Sequence, residues 1–430
     1  ITIQYDTSSF AFPHVPLPDV WTFRKKFQDT AITDLETQVN DAVDRILEHS
    51  SLIPGATIAV GVGSRGIANL QQVVRSVVSK LVAGGYQPYI VPAMGSHGGA
   101  TAEGQVAILA DYGITEATIG VPVKATMEVD QIASLDDGYP VYLDQNAAHA
   151  DGILVINRIK HHTDFVGPIQ SGICKILAIG LGKQKGANSI HRFGATGLAN
   201  TMPKVGRAIV QNAPVIGGVA IIENQIGQTM EIHSLIPNEI GSDKETQLLQ
   251  RAIEFSPSLP VNNVDVLVVD EMGKNISGSG MDTHVIGRLE MPSVKEGNWT
   301  DSQIKVVCCM DITPESHGNA AGFGLADMIP RQFLEKIDFA ATMTNHRTSG
   351  EGGVRRSKFP VVLENAEECV RAAIGGCGTG NYADVRLLRI KNTAFTSTFQ
   401  VSEAIYNEIE SDSAFELVSG PEKLRLQTRF

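Results

Sequence analysis

The pattern of apolar and polar residues in the first half of the chain alternates between two periods. A continuous apolar run at 56–62 is typical of a strand buried on both faces. After a glycine-rich loop, apolar residues recur with the spacing of an amphipathic helix, at Leu70, Val73, Val74, Val77, Val78 and Leu81. Further strands are predicted at 88–92, 152–157 and 215–222, and a further helix at 102–111. Strands that alternate with helices predict a parallel sheet covered on both faces.

The second half of the chain repeats this alternation after a break. The break at 255–263 carries two prolines among polar residues. Beyond it, strands are predicted at 264–270, 304–310 and 339–343. We therefore predict the α/β class, with two α/β domains at 1–258 and 262–395, largely parallel sheets, and an active-site crevice between the domains. Residues 396–430 are predicted to contain an amphipathic helix that packs back on the first domain.

Charge and composition indicate which classes of molecule the protein is expected to bind. The 430 residues are 43% hydrophobic and carry a formal net charge of −12, which disfavours nucleic acid and anionic membranes as partners. No apolar run approaches the roughly 20 residues that a membrane span needs, and the first residues do not resemble a signal peptide. The five cysteines form no CxxC pair, so neither a disulfide framework nor a cysteine zinc site is expected. We expect a cytoplasmic protein that acts on a small molecule.

Two glycine-rich loops that follow predicted strands carry candidate chemistry. The first, GVGSRG at 61–66, matches GxGxxG, but residues 80–91 lack the acidic residue that a dinucleotide site requires. We expect this loop either to deliver Arg65 to an anion, such as a substrate carboxylate, or to be a plain structural turn. The second, MGSHGGAT at 94–101, leaves the imidazole of His97 unobstructed by neighbouring side chains. A histidine in this setting indicates acid–base catalysis.

The segment 160–192 concentrates histidines and lysines. Lys175 lies in the apolar run ICKILAIGLG, where it is either a point of covalent attachment or a snorkelling lysine on a buried helix. His161 and His162 are adjacent, so only one of them is expected to enter a site. His191 is either a metal ligand or a surface histidine, because imidazole binds nickel, zinc and copper well.

The order and spacing of these motifs resemble the lactate racemase family, whose members act on 2-hydroxy acids with a nickel-pincer nucleotide. The resemblance runs through GSRG, MGSHGGAT with a following GQ, and HTDF with GP, SG and a lysine, then a histidine sixteen residues after that lysine. It runs from about residue 60 to about residue 195 and, more weakly, from there to the end of the sequence. The chain has GSRGI where the family has Asp-x-Thr-Arg-Pro, so it resembles a divergent homologue.

The resemblance implies a role for each candidate residue. Lys175 would hold the nickel-pincer nucleotide covalently through a thioacid sulfur, and His191 would ligate the nickel. His97 and one histidine of the adjacent pair would exchange protons with the substrate; we favour His162 over His161 because it opens the HTDF run. The other candidates would bind the substrate carboxylate (Arg65), stack on the pyridinium (Phe165) or contact the cofactor (Ser64, Lys183 and Lys274).

The residue types suit this chemistry. Because no side chain accepts hydride, removal of hydride from carbon 2 needs a cofactor, whereas the hydroxyl proton needs one base for each enantiomer. The sequence therefore predicts an isomerase, a racemase or epimerase of a small 2-hydroxy acid that depends on cofactor-synthesis proteins. Two alternatives stay open: a metal-dependent hydrolase that uses His97, His162 and His191, and a non-catalytic protein that binds a nucleotide cofactor.

Overall fold

The computed structural model describes residues 15–26, 31–63, 66–294 and 299–426. The chain forms two compact units: an inserted unit, Thr30–Ser256, and a terminal unit made of Ile1–Asp29 and Pro257–Phe430. The second boundary lies within the predicted break. The residues before Thr30 belong to the terminal unit, which the sequence did not indicate. No helix among the described residues is both long and apolar enough to cross a membrane.

Strands and helices alternate along both units. The strands are β1 (Asp19–Lys25), β2 (Thr57–Val62), β3 (Gln87–Pro92), β4 (Val129–Ser134), β5 (Pro140–Asp144), β6 (Gly152–Arg158), β7 (Val215–Glu223), β8 (Thr229–Leu235), β9 (Asn263–Val269), β10 (Gln303–Cys309), β11 (Met328–Pro330), β12 (Val361–Leu363), β13 (Leu387–Asn392), β14 (Phe395–Ser402) and β15 (Phe415–Lys423). The prediction of the α/β class is confirmed.

The helices vary widely in length. They are α1 (Leu35–Glu48), α2 (Leu70–Ala83), α3 (Ala102–Asp111), α4 (Glu116–Ile119), α5 (Gln145–Ala148), α6 (Ile173–Lys175), α7 (Lys183–His191), α8 (Gly194–Thr196), α9 (Met202–Asn212), α10 (Asp243–Glu254), α11 (Arg331–Glu335), α12 (Phe339–Thr348), α13 (Gly350–Arg355), α14 (Ala366–Gly376) and α15 (Glu403–Ile409). Two π-helical segments, Ile176–Gly180 and Gly197–Thr201, lie on either side of α7.

The inserted unit is built on a five-stranded sheet in the order β3-β2-β6-β7-β8. The first four strands are parallel, with Val62 of β2 opposite both Pro92 of β3 and Ile156 of β6, and only β8 is antiparallel. Because the carboxyl ends of parallel strands meet at one edge, the loops that follow β2, β3 and β6 gather there. The loop that carries His97 and the histidine segment therefore begin at the same edge of this sheet.

Apolar layers cover both faces of this sheet. Alternate strand residues serve the two layers, so that Ile156 packs with α1 and α2, whereas Val155 packs with the π-helical segment after α6 and with α9. The continuous apolar run of each predicted strand has this cause: both of its faces are buried.

The terminal unit contains an eight-stranded sheet in the order β12-β11-β10-β9-β13-β14-β1-β15. The strands from β12 to β13 are parallel, and β14, β1 and β15 continue the sheet in antiparallel pairing. The tail at 396–430 was expected to pack on the first domain. The helix of this tail is α15, and the strands β14 and β15 on either side of it pair with β1, which lies within 1–258 in sequence but belongs to the terminal unit.

One predicted strand is wrong. Residues 339–343 are not a strand but the start of the helix α12. The side chain of Asp338 caps this helix by accepting a hydrogen bond from the Ala341 N–H at 3.0 Å. Two alanines follow Phe339, and alanine favours helix. A five-residue apolar run is too short for its period to distinguish a strand from a helix.

Candidate active site

The candidate site begins with the loop 159–172, which connects β6 to α6. The loop is closed at its base, because the Lys160 N–H donates to Ser171 Oγ at 2.6 Å and the Ser171 hydroxyl donates to the Lys160 carbonyl at 2.5 Å. Nearby, Asn157 Nδ2 donates to the Gly172 carbonyl at 2.9 Å. These bonds fix the end of the loop to the end of β6, so α6 starts in a defined position.

A buried carboxylate caps α6. One oxygen of Glu245 accepts hydrogen bonds from the N–H groups of Ile173 and Cys174, at 2.7 and 3.0 Å. The other oxygen accepts from the Gly241 N–H at 2.8 Å. Burial raises the pKa of Glu245 to about 7, against the opposing effect of these three hydrogen bonds. The sequence analysis missed Glu245, because nothing in its sequence neighbourhood distinguishes it from a surface glutamate of an amphipathic helix.

Lys175, the last residue of α6, is half-buried in an aromatic and polar environment. Its ammonium donates to the Gln170 carbonyl at 3.2 Å and lies 5.6 Å from the centre of the Phe165 ring. The His162 ring packs against the same phenylalanine, with 4.6 Å between ring centres. Phe165 itself is buried. Lys175, Phe165 and His162 therefore form one cluster.

The two adjacent histidines lie in different environments. His161 is buried, whereas His162 is partly exposed. The backbone of His162 donates to Gln170 Oε1 at 2.8 Å, and its ring Nδ1 accepts a hydrogen bond from the Asp164 N–H at 3.1 Å. Because Nδ1 is the acceptor, the neutral ring carries its proton on Nε2. This arrangement is consistent with the preference for His162 over His161.

His191 ends α7, sixteen residues after Lys175. Its pKa is lowered first by desolvation among surrounding protein atoms and then by the positive charge of Lys175, while Asp164 acts in the opposite direction. Part of the side chain is nevertheless exposed to solvent. Because the charges of Lys175 and Asp164 affect the pKa of His191, these three residues lie in one region of the inserted unit. The π-helical segment Ile176–Gly180 lies between them, and such segments are frequent at functional sites.

The loop that carries His97 packs against the same π-helical segment. The Gly95 N–H donates to the Gly180 carbonyl at 3.0 Å. Gly95 has a left-handed φ of +60°, and a Cβ there would lie 3.2 Å from the Ile179 carbonyl oxygen. The side chain of Gln105 donates to the carbonyls of Gly95 and His97, at 2.9 and 3.4 Å. His97 is exposed, at the carboxyl edge of the sheet.

Lys183 does not fit the cofactor-binding role that was predicted for it. The side chain is completely buried and forms an ion pair with Asp144 at 3.2 Å. Its ammonium also donates to the Pro92 carbonyl at 2.5 Å and to Gln105 Oε1 at 2.9 Å. Burial lowers the pKa of Lys183 and raises that of Asp144, each against the attraction of its partner. An ammonium enclosed in this way has no surface left for a phosphate.

The remaining candidates are Ser64, Arg65 and Lys274. Ser64 and Arg65 are outside the described residues, so their roles remain predictions. Lys274 belongs to the terminal unit, in the loop after β9. Its N–H donates to Ser316 Oγ at 2.9 Å and its ammonium donates to the Gly278 carbonyl at 2.6 Å. In the part of the chain that the structure describes, no three or more His, Cys, Asp or Glu side chains group as a metal site.

No protein-family model matches the sequence, and no curated protein sequence matches it. Among solved structures, the chain is similar to a crystal structure of a protein from Thermotoga maritima. That similarity has a TM-score of 0.47 and 10% sequence identity, and it covers 81% of this chain and 92% of that chain. The chain is also similar to lactate racemase apoprotein from Thermoanaerobacterium thermosaccharolyticum, with a TM-score of 0.43, 12% identity, and coverage of 86% and 88%. At these identities the likeness says nothing about activity.

Proposed function

We propose that the chain is an isomerase that racemises or epimerises a small 2-hydroxy acid, using a nickel-pincer nucleotide attached to Lys175. The observation that carries the proposal is the cluster in which the Lys175 ammonium lies over the Phe165 ring with His162 packed on the same ring. The motif resemblance gives these three residues their roles. The lysine attaches the cofactor, the phenylalanine stacks on it, and the histidine exchanges a proton with the substrate.

The residues present fit such a cofactor. Lys175 supplies a primary amine, and His191, in electrostatic contact with it, supplies an imidazole. The lowered pKa of His191 favours the neutral ring, which is the form that binds a metal. A single imidazole suffices where a pincer ligand brings its own donor atoms to the nickel. When bound, the group would supply the hydride acceptor that no side chain can provide.

The protein's own residues would bind, orient and exchange protons. Arg65 would fix the substrate carboxylate with its guanidinium fork. His97 and His162 would exchange the hydroxyl proton, one for each enantiomer. The hydrogen bond from the Asp164 N–H to Nδ1 of His162 leaves Nε2 as the atom of that ring that meets the substrate oxygen. The apolar side chain of Phe165 would limit the access of water to the reacting carbon.

Two measurements test the proposal. After co-expression with cofactor-synthesis proteins, intact-mass analysis should detect a covalent adduct on the wild type and none on Lys175→Ala. Lys185→Ala, an exposed lysine of α7, is the matched control and should keep the adduct. An adduct that survives in Lys175→Ala would contradict the attachment site, and its absence from the wild type would contradict the cofactor.

The second measurement follows the hydrogen on carbon 2. A substrate deuterated at carbon 2 should give the opposite enantiomer with its label retained, because hydride returns to the carbon from which it came. Proton abstraction by a histidine would instead exchange the label with solvent. Rapid loss of the label would therefore overturn the hydride mechanism. Lactate and malate are the first substrates to test.

Of the two alternatives, the metal hydrolase needs His97, His162 and His191 together as ligands. No observation in the described residues favours that grouping, so we do not propose it. A protein that only binds the cofactor differs from an isomerase in one measurable respect. The variant His97→Ala should retain the covalent adduct and lose turnover if the protein is an enzyme.

A further inference from the structure

Lys183 is a charged residue in a buried position, where an apolar residue would cost less free energy to bury. It is the first residue of α7 and is completely buried. Its backbone has a left-handed φ of +53°, which is unfavourable for a residue with a side chain. Burying an ammonium is costly unless it is paired and hydrogen-bonded, so its retention requires an explanation beyond packing.

The ammonium of Lys183 joins three separate segments. It donates hydrogen bonds to the carbonyl of Pro92, where β3 ends, and to the side chain of Gln105, in α3. It also forms an ion pair with the carboxylate of Asp144, at the end of β5. Asp144 is itself held in place, because it accepts a hydrogen bond from the Ala147 N–H at 2.9 Å. Because an ammonium carries its charge and its donors on one atom, this side chain can make two hydrogen bonds and one ion pair to three separate segments at once.

This network leads directly to the two histidines of the proposed site. On one side, the side-chain amide of Gln105 donates hydrogen bonds to the carbonyls of Gly95 and His97. On the other side, α7 runs from Lys183 to His191. The network therefore touches the His97 loop and the start of the helix that presents His191.

We infer that Lys183 is a positioning residue, which with Asp144 and Gln105 sets the His97 loop against the segment from Lys175 to His191. The roles of those residues rest on the proposed function, but the network itself does not. An error of about 1 Å in the placement of a reacting group can cost about 100-fold in rate. Loss of the network should therefore lower kcat strongly, with little effect on KM or on covalent attachment at Lys175.

The test compares Lys183→Met with Lys185→Met in the full chain. Lys185 is exposed on the same helix, with its ammonium 4.4 Å from the centre of the Tyr142 ring. In cofactor-free protein, the rate at which diethyl pyrocarbonate modifies His97 is measured by peptide mass spectrometry, with the exposed His49 as the internal reference. K183M should change the His97 rate by about tenfold or more relative to His49, whereas K185M should leave the ratio unchanged.

A second variant keeps the test decisive if K183M does not fold, since that variant leaves Asp144 buried without its cation. Gln105→Met cuts the connection to the His97 carbonyl and leaves the Lys183–Asp144 ion pair in place. It should change the His97 modification rate in the same direction and lower kcat, while the Lys175 adduct remains. Unchanged His97 reactivity in Q105M overturns the inference. If the wild type carries no adduct, the proposed function fails, but the His97 measurement still decides the role of Lys183.

Discussion

At the scale of single residues, the carboxylate of Glu245 accepts hydrogen bonds from two amides at the start of α6 and from one at Gly241. It thereby joins the helix that carries Lys175 to a turn almost seventy residues away in sequence. Because the carboxylate is buried, its pKa is raised from 4.5 to about 7. In the folded protein Glu245 thus binds a proton at pH values where the unfolded chain has released it.

This difference predicts a pH dependence of stability. The raised pKa adds stability below about pH 4.5, and that stability is lost as the pH rises through about 7. Relative to Glu245→Gln, the wild type should therefore lose up to about 3 kcal/mol of unfolding free energy between about pH 4.5 and pH 8. Urea titrations at several pH values measure this. The exposed variant Glu48→Gln should parallel the wild type, and equal pH slopes for E245Q and wild type would contradict the prediction.

His191 gives a second prediction at this scale. If it is the protein's nickel ligand, His191→Ala should reduce the nickel content of co-expressed protein by at least about tenfold. His149→Ala is the matched control, because His149 is also exposed and its ring is paired with Asp130 at 3.1 Å. Elemental analysis by mass spectrometry reports both. A variant H191A that keeps the nickel content of H149A would remove His191 from the site.

At the scale of elements, the His97 loop contains two glycines with similar left-handed φ values. Gly95 and Gly99 have φ values of +60° and +66°. A Cβ on Gly95 would lie 3.2 Å from the Ile179 carbonyl oxygen, whereas a Cβ on Gly99 would have no neighbour within 4 Å. The first glycine is therefore required both by conformation and by its contact with the π-helical segment, and the second only by conformation.

Alanine substitutions at Gly95 and Gly99 separate the effect of backbone conformation from the effect of the contact with the π-helical segment. Gly99→Ala should cost about 1 kcal/mol of unfolding free energy, the penalty of a left-handed residue with a Cβ. Gly95→Ala should cost more and should also lower turnover, because relief of the close contact moves the loop away from the π-helical segment Ile176–Gly180. Chemical denaturation and initial rates measure the two effects. Equal costs for both variants would mean that the Gly95 contact is unimportant.

The elements also divide into those that the sequence predicts and those that it does not. Strands such as β2 and β6 are predictable because both of their faces are buried, and burial on both faces requires a continuous run of apolar residues. The glycine loops and the Lys175 segment were found through motif order. Asp144, Gln105 and Glu245 were not assigned roles, because their importance arises only when distant segments pack together. Lys183 was misassigned for the same reason, since a lysine in the polar run GKQKG gives no sign of a buried partner.

At the scale of the whole molecule, the order of the strands in the sheets differs from their order along the chain. The inserted unit, Thr30–Ser256, contains its own five-stranded sheet and both of the apolar layers that cover it. The terminal unit instead takes β1 from the beginning of the chain and pairs it with β14 and β15 from the end. No sequence pattern indicated this pairing, because nothing in the residues of β1 identifies the strands with which it pairs.

The two units are therefore expected to differ in whether each one folds when it is made as a separate fragment. A fragment of residues 31–256 is expected to unfold cooperatively on its own, as measured by circular dichroism on heating. A fragment of residues 257–426 lacks β1, which leaves the facing edges of β14 and β15 unpaired, and it should be unstable. Adding a peptide of residues 15–26 should raise its melting temperature. Failure of the first fragment to fold would contradict the independence of the inserted unit.

The position of β1 between β14 and β15 has a consequence for the nascent chain. The ribosome makes β1, at Asp19–Lys25, long before its second partner, β15, which begins at Phe415. At 5 to 20 residues per second, roughly 20 to 80 seconds separate the synthesis of the two strands. Throughout that interval Trp21 and Phe23 lie in a strand whose partners do not yet exist. Chaperones that shield this short segment should therefore govern the yield of folded protein in cells, whereas the inserted unit can complete its sheet while translation continues.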